Sequence, residues 1–250
     1  MFIWRGKLQK GYKSSQNIAN FLVLVDIWYD MSDNKIHVYL MPGMAANSSI
    51  FEDIKLPKNQ FETHALDWFV PEKGMSLIDY AERMCDKITE PNPVLLGVSF
   101  GAMLVQEMAK IIPTRKVIVV SSVKSKHELP KRMIFAKYTK VHKLLPTGLV
   151  NNVELLAKYA FGETVTKRLH LYEKYLSIRD KYYIDWSIDQ IVNWDQEVAP
   201  NNVIHIQGDR DAVFPISNIK DCIPVKNGTH TMIIHRYRWF NDHLPTIILE

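Results

Sequence analysis

The sequence predicts an α/β protein, a mostly parallel sheet flanked by helices, with a helical insertion late in the chain. Three observations lead there. From Lys35 onward, short apolar runs alternate with stretches of helical apolar spacing, the pattern of a parallel sheet covered on both faces. The run Gly97-Val98-Ser99-Phe100-Gly101 stands where an apolar segment, Pro93 to Leu96, turns directly into a helical stretch ending before Pro113. Roughly eighty residues separate the apolar run ending near Val123 from the next one near Asn202, against a median of about 4–6 residues for a connection.

In chain order, strands are expected over 35–40, 61–67, 93–97, 116–122, 202–207 and about 222–226. Helices are expected over about 76–89, 101–112 and 233–241, with a short one near 216–220. The helix after Ser99 is apolar at Val105, Met108, Ala109 and Ile112, one face to lay on the sheet. The long segment is helical in content, from Val153 to Phe161, Thr164 to Ile178 and Lys181 to Trp194, with Ile184, Ile188 and Ile191 at helical spacing. Its aromatic residues (Tyr138, Tyr159, Tyr172, Tyr175, Tyr182, Tyr183, Trp186 and Trp194) read mostly as its own packing. No internal repeat or low-complexity stretch is visible. The expected organisation is an extension over 1–30, a core formed by 31–123 and 201–250, and a helical insertion over 124–200.

Composition narrows the function classes. With 47% hydrophobic and 23% charged residues, the 250-residue chain is an ordinary globule of one α/β domain plus an insertion. Cys85 and Cys222 make no disulfide framework, so a reducing cytoplasm is the default compartment. A formal charge of +4 is mild, and no nucleic-acid-binding signature accompanies it. Residues 1–15 carry Arg5, Lys7, Lys10 and Lys13 before an apolar run, Phe21 to Val25, in the outline of a signal peptide. That run is short, Asp26 interrupts it, no small-residue cleavage site follows, and it is far too short to span a bilayer. Met31 stands directly before the first convincing strand, so residues 1–30 are expected to be an extension outside the fold.

With ten glycines and thirteen serines in 250 residues, chance would produce Gly-x-Ser-x-Gly roughly 0.02 times. Between a strand and a helix, this motif resembles the nucleophile elbow of the α/β-hydrolases. The glycines follow from the geometry. The serine takes a strained backbone on a very sharp turn, and a side chain two residues to either side would strike the neighbouring strand or helix. The hydroxyl then stands at the C-terminal edge of the sheet, above the N–H groups of the following helix.

The resemblance extends over about residues 35–249 and implies roles for further residues. Gly208-Asp209-Arg210-Asp211-Ala212-Val213-Phe214-Pro215 looks like the Gly-x-x-Asp-x-x-hydrophobic-Pro loop that carries the acid, and that alignment selects Asp211. Asp209 is the competing choice and reads as a turn residue bonding its own backbone. Lys226-Asn227-Gly228-Thr229-His230 resembles the Gly-x-His loop after the last strand, which makes His230 the base. Ser99, Asp211 and His230 then run in this family's order. Met41-Pro42-Gly43-Met44 follows the first strand, where the family places a loop usually written His-Gly-x; by resemblance the N–H groups of Met44 and Phe100 form the oxyanion hole. Pro-Gly in place of His-Gly is a departure, similar to thioesterase-like branches.

Nine histidines compete for the base. His205 lies in an apolar strand and reads as a satisfied core residue, while His37 and His64 read as strand positions. His235 follows His230 by a spacing unlike that of helical zinc sites, and no Cys/His cluster exists to hold a metal. His170 falls in an expected helix and His243 near the C-terminus. His127 and His142 belong to the insertion and are left as candidates to face the pocket.

By resemblance the insertion is a cap over the nucleophile, and the chain is a serine hydrolase of a small-molecule carboxylic ester or thioester, without cofactor or metal. Two alternatives stay open: an acyltransferase using the same acyl-enzyme, and a ligand-binding pseudo-hydrolase. The sequence leaves the oligomeric state open. Seven basic residues between Lys124 and Lys143, against one acid, Glu128, read either as a solvated helix face or as an attractor for an anionic thioester or lipid surface.

Overall fold

Six strands form one sheet in the order β2-β1-β3-β4-β5-β6. They are β1 (Ile36–Met41), β2 (Phe61–Ala65), β3 (Val94–Val98), β4 (Lys116–Val120), β5 (Val203–Gly208) and β6 (Ile223–Val225). The pairings from β1 through β6 are parallel, with Met41 opposite Gly97, Val98 opposite Val120 and Gly208 opposite Val225. This is the expected class, a parallel sheet flanked by helices. The computed structural model describes residues 35–144 and 174–250. The expected extension over 1–30 and the helix over 153–161 lie outside the described residues, as does residue 164–173 of the next one.

The central strands β3 and β4 are almost wholly buried, the near-continuous apolar runs of a sheet covered on both faces. Helix α1 (Leu77–Cys85) begins at a capping box: the Ser76 hydroxyl accepts from Asp79 N–H while the Asp79 carboxylate accepts from Ser76 N–H. It stops short of the expected 89, giving way to tighter turns at Lys87 and Ile88. Helix α2 (Phe100–Ile111) is buried over its first nine residues.

Between β4 and β5, the described residues hold helix α3 (Lys131–Thr139) and helix α4 (Lys181–Asn193). Helix α3 lies in the basic stretch that the sequence read as a solvated helix face or an anion attractor; none of its residues is buried, so no apolar stripe marks its bounds. The helix expected through Ile178 ends early, because Leu176 forms an antiparallel bridge with Ala46 and Ile178 N–H donates to the Ala45 carbonyl. Asp180 caps α4 by accepting from Tyr183 N–H. The face of α4 that goes inward is Tyr183, Ile184, Trp186, Ser187 and Val192; of the expected isoleucine stripe Ile184 is buried, while Ile188 and Ile191 are half-buried. Its aromatics pack on the core: Trp186 lies 4.8 Å from the Tyr80 ring, and Tyr183 lies 5.7 Å from Trp68. A buried polar net ties the end of this segment to α2. Trp194 Nε1 donates to Glu107, and Gln196 Nε2 donates to Gln106 and to the Lys124 carbonyl.

The expected C-terminal helix is two: α5 (Met232–His235) and α6 (Tyr237–Leu249). Helix α6 continues through Pro245 with Phe240, Leu244, Ile247 and Ile248 buried. That apolar face keeps the helix running despite a proline that costs about 3 kcal/mol in a helix interior. At the far margin of the sheet β6 has three residues, with Pro224 at its centre.

Candidate active site

The strand order reverses direction at β1: β2 lies on one side of it and β3 on the other. In an open parallel sheet, the carboxyl ends of strands flanking such a reversal leave a crevice suited to a ligand. Ser99 follows β3 directly and Pro42 follows β1, so both stand at this crevice.

Ser99 is the N-cap of α2 and has φ 54° and ψ −120°, a strained conformation for a residue with a side chain. Its backbone is held from several sides. Ser99 N–H donates to the Val120 carbonyl at 2.9 Å, and the Ser99 carbonyl accepts from Ala102 N–H at 3.0 Å and from the Ser122 hydroxyl at 2.8 Å. The flanking glycines are sites of close approach. A β-carbon on Gly97 would lie 2.4 Å from the Gly101 carbonyl oxygen, and one on Gly101 would lie 2.2 Å from that of Pro42. Helix α2 thus begins in backbone contact with the loop after β1.

The structure brings Ser99, His230 and Asp211 together. His230 Nε2 lies 3.0 Å from Ser99 Oγ, and His230 Nδ1 lies 2.9 Å from Asp211 Oδ2. A carboxylate only accepts, so Nδ1 carries the proton and the Nε2 lone pair faces the serine hydroxyl. Asp211 and His230 are 4% and 6% exposed, whereas Asp209 is exposed and bonds Val225 through its backbone. Asp211 Oδ1 accepts from Val213 N–H at 2.7 Å and Phe214 N–H at 3.0 Å, and Oδ2 accepts also from Gln207 Nε2 at 3.0 Å. Burial alone would push this carboxyl up; the His230 ring and the donors around it hold it below the usual carboxylate value.

Gly43 and Met44 lie in the loop after β1. The Gly43 carbonyl is fixed by Trp68 Nε1 at 2.9 Å and by Ala46 N–H at 3.1 Å. Ala45 has φ 63°, and its N–H donates to the Tyr183 hydroxyl at 3.3 Å. Among the described residues, the N–H groups of Met44 and Phe100 donate to no protein acceptor. Phe100 is fully buried and stacks on Trp68, ring centroids 4.9 Å apart and planes 4° off parallel.

Five other histidines sit elsewhere in the hydrogen-bond pattern. His37 Nδ1 meets His64 Nε2 at 2.9 Å between β1 and β2, and His243 Nδ1 donates to the Trp239 carbonyl. His127 pairs with Glu197, and His142 is buried between the Ala136 carbonyl and Asp189. Among the described residues, no group of three His, Cys, Asp or Glu side chains is arranged to hold a metal ion. No described helix is long and apolar enough to cross a membrane.

Sequence reasoning passed over Gln207, which sits on Asp211, and read Tyr183 as packing of the insertion, whereas it sits on the loop after β1. A glutamine inside an apolar strand is a signal that could have been read. The tyrosine contact, between residues 45 and 183, leaves no trace in local pattern.

No family model matches the chain, and no curated protein matches it either. Solved structures do. An enol-lactonase from Burkholderia xenovorans LB400 is 13% identical with a TM-score of 0.64, the match covering 88% of this chain and 94% of that one. A bromoperoxidase from Bacillus anthracis is 16% identical with a TM-score of 0.64, covering 86% and 92%. An esterase from Exiguobacterium antarcticum is 15% identical with a TM-score of 0.60, covering 87% and 93%. With its parallel sheet and its elbow at the end of β3, the chain has the fold they share, that of the α/β-hydrolases.

Proposed function

We propose that this protein is a serine hydrolase that cleaves a carboxylic ester or thioester through an acyl-enzyme on Ser99. The observation that carries the reading is the unbroken hydrogen-bond chain from Ser99 Oγ through His230 to Asp211, seated on a strained turn at the head of α2. Ser99 Oγ attacks the carbonyl carbon while His230 Nε2 takes its proton. Asp211 keeps the imidazole in the tautomer that accepts at Nε2 and stabilises the imidazolium once formed. The carbonyl oxygen, now an oxyanion, is received by the N–H groups of Met44 and Phe100, each worth roughly 10²–10³ in rate. The tetrahedral adduct collapses, His230 returns its proton to the departing alkoxide or thiolate, and a water activated by the same histidine releases the acid.

The relatives by fold include an enol-lactonase and an esterase by name, both acting on ester bonds, which supports the bond class. In this reading residues 124–200 are the cap. The bridge from Leu176 to Ala46 and the bond from Ala45 N–H to Tyr183 support that role, since both join the segment to the oxyanion loop. Labelling with a fluorophosphonate probe, beside Ser99→Ala and His230→Ala and with p-nitrophenyl acyl esters assayed in parallel, tests it. Labelling and turnover should vanish in both variants. A wild-type protein that resists the probe would sink the hydrolase reading and bring a ligand-binding role forward.

A further inference from the structure

Strand β5 places His205 and Gln207 two residues apart, and so on one face of the sheet. Both are buried, His205 at 2% exposure and Gln207 at 0%. Polar side chains inside a covered parallel sheet are costly unless every strong donor and acceptor finds a partner. His205 Nδ1 finds none among the described residues, and the partners of the other atoms lead to the site. Gln207 Nε2 lies 3.0 Å from Asp211 Oδ2 and 2.6 Å from the Phe214 carbonyl oxygen. Both of those groups only accept, so the amide nitrogen must face them. The amide oxygen is thereby turned to His205 Nε2, 3.1 Å away, and that nitrogen must carry a proton.

We infer that Gln207 and His205 are positioning residues that hold the Asp211 carboxylate in register for His230; the inference rests on the hydrolase reading for its effect on turnover. The carboxylate accepts from four donors: two backbone N–H groups on Oδ1, and His230 with Gln207 on Oδ2. Gln207 is the only one of the four that fixes Oδ2 independently of the histidine. Without it the oxygen that orients His230 has no second anchor, and rotation about the Cβ–Cγ bond is restrained only from Oδ1, by the Val213 and Phe214 N–H groups. His205 acts one step further back. An amide is nearly symmetric in shape, and a flipped Gln207 would set its oxygen against Oδ2, acceptor against acceptor. The Nε2–H of His205 makes the productive orientation the bonded one. Burial pushes this ring down to about 4, so it stays neutral across the working range of a neutral base, as the role requires.

The test uses the full chain and three variants: Gln207→Met, Gln207→Glu and His205→Leu. Loss of one hydrogen bond to a buried charge corresponds to roughly a 10- to 100-fold drop in kcat/KM, with KM nearly constant. Gln207→Glu puts a carboxylate against a carboxylate and should fall furthest. His205→Leu leaves the Gln207 amide oxygen without its donor and should lower stability, while turnover measured well below the unfolding transition falls several-fold, a loss that a purely structural residue would not give. The low-field proton resonance of His230 Nδ1–H, read by NMR, should move in all three, and this readout needs no turnover. A wild type that takes the fluorophosphonate, with variants that keep both wild-type turnover and an unmoved resonance, overturns the inference and leaves the hydrolase reading standing. A wild type that refuses the probe, with variants whose resonance moves, removes the hydrolase reading and keeps the hold on Asp211.

Discussion

Gly208 and Gly228 meet backbone to backbone: a β-carbon on Gly208 would lie 2.3 Å from the Gly228 carbonyl oxygen. One glycine ends β5 three residues before Asp211, and the other precedes His230 by two. Arg210 N–H donates to that same Gly228 carbonyl at 2.9 Å. The contact sets how closely the loop bearing Asp211 approaches the loop bearing His230.

Gly208→Ala should therefore cost more than its single methyl group suggests. The backbone of 228 must retreat, which destabilises the fold by about 1–3 kcal/mol and lengthens the bond between Asp211 and His230. Urea unfolding reads the first effect. Esterase turnover reads the second and is expected to fall well beyond what the lost stability explains.

Tyr183→Phe keeps the ring that packs on Trp68 but removes the acceptor of Ala45 N–H. An orphaned buried donor costs about 1–3 kcal/mol. Because Ala45 adjoins Met44, the loss is expected in kcat rather than KM. Steady-state kinetics across a series of acyl esters will show whether the two parameters separate in this way.

Stability should fall in mild acid because of His205. Its folded value is about 4 against about 6.5 unfolded, with burial the main cause and the Lys124 charge adding to it, opposed by Gln207 and Asp211. Between those values the unfolded chain binds the extra proton, so stability rises with pH and is lost on the way down from pH 6.5 to 4, by about 3 kcal/mol in all. Asp211, held below the usual carboxylate value, acts only at lower pH, as the protein falls through that depressed value. Urea midpoints at neutral pH and near pH 4.5 should differ clearly in the wild type, and by much less in His205→Leu.

The basic residues between Lys124 and Lys143 are largely engaged within the protein. Arg132 donates to the Ala212 and Val213 carbonyls at 2.9 and 2.5 Å, Lys124 donates to the Lys220 and Asp221 carbonyls, and Lys126 pairs with Glu197. Lys124, Lys126 and Lys143 also lie against Glu128, Glu197 and Asp189, so KM for an anionic acyl thioester should change little between low and moderate salt, since ion-paired charges attract a distant anion weakly. A steep salt dependence would show instead that this surface gathers substrate. Arg132→Ala, which frees two carbonyls of the acid loop, should lower turnover of neutral and anionic esters alike.

How far the sequence could be read depended on what holds each element. Ser99 and the loops around Asp211 and His230 were legible because glycines mark them, and each of those glycines stands where a side chain would strike backbone. The strands followed from uninterrupted apolar runs. Their ends did not: β4 stops at Val120 because Ser121 turns to φ 50°, although Ser121 and Ser122 stay buried. Helix α3 buries none of its residues and so offers no period to detect. The break between α5 and α6 at Arg236 lies within a stretch whose composition suits one helix. Tyr183 was illegible for another reason: it owes its place to Ala45, a partner brought near only by the fold.

The short strand β6 has a consequence for association between molecules. The Val225 carbonyl accepts from Asp209 N–H, so Val225 turns its backbone inward, and Pro224, one residue away, turns outward. An incoming strand would need a donor there and would meet an imide nitrogen without a hydrogen. On this side the sheet is closed to extension by another chain, and a second copy of the protein would have to dock through side chains rather than by continuing the ladder.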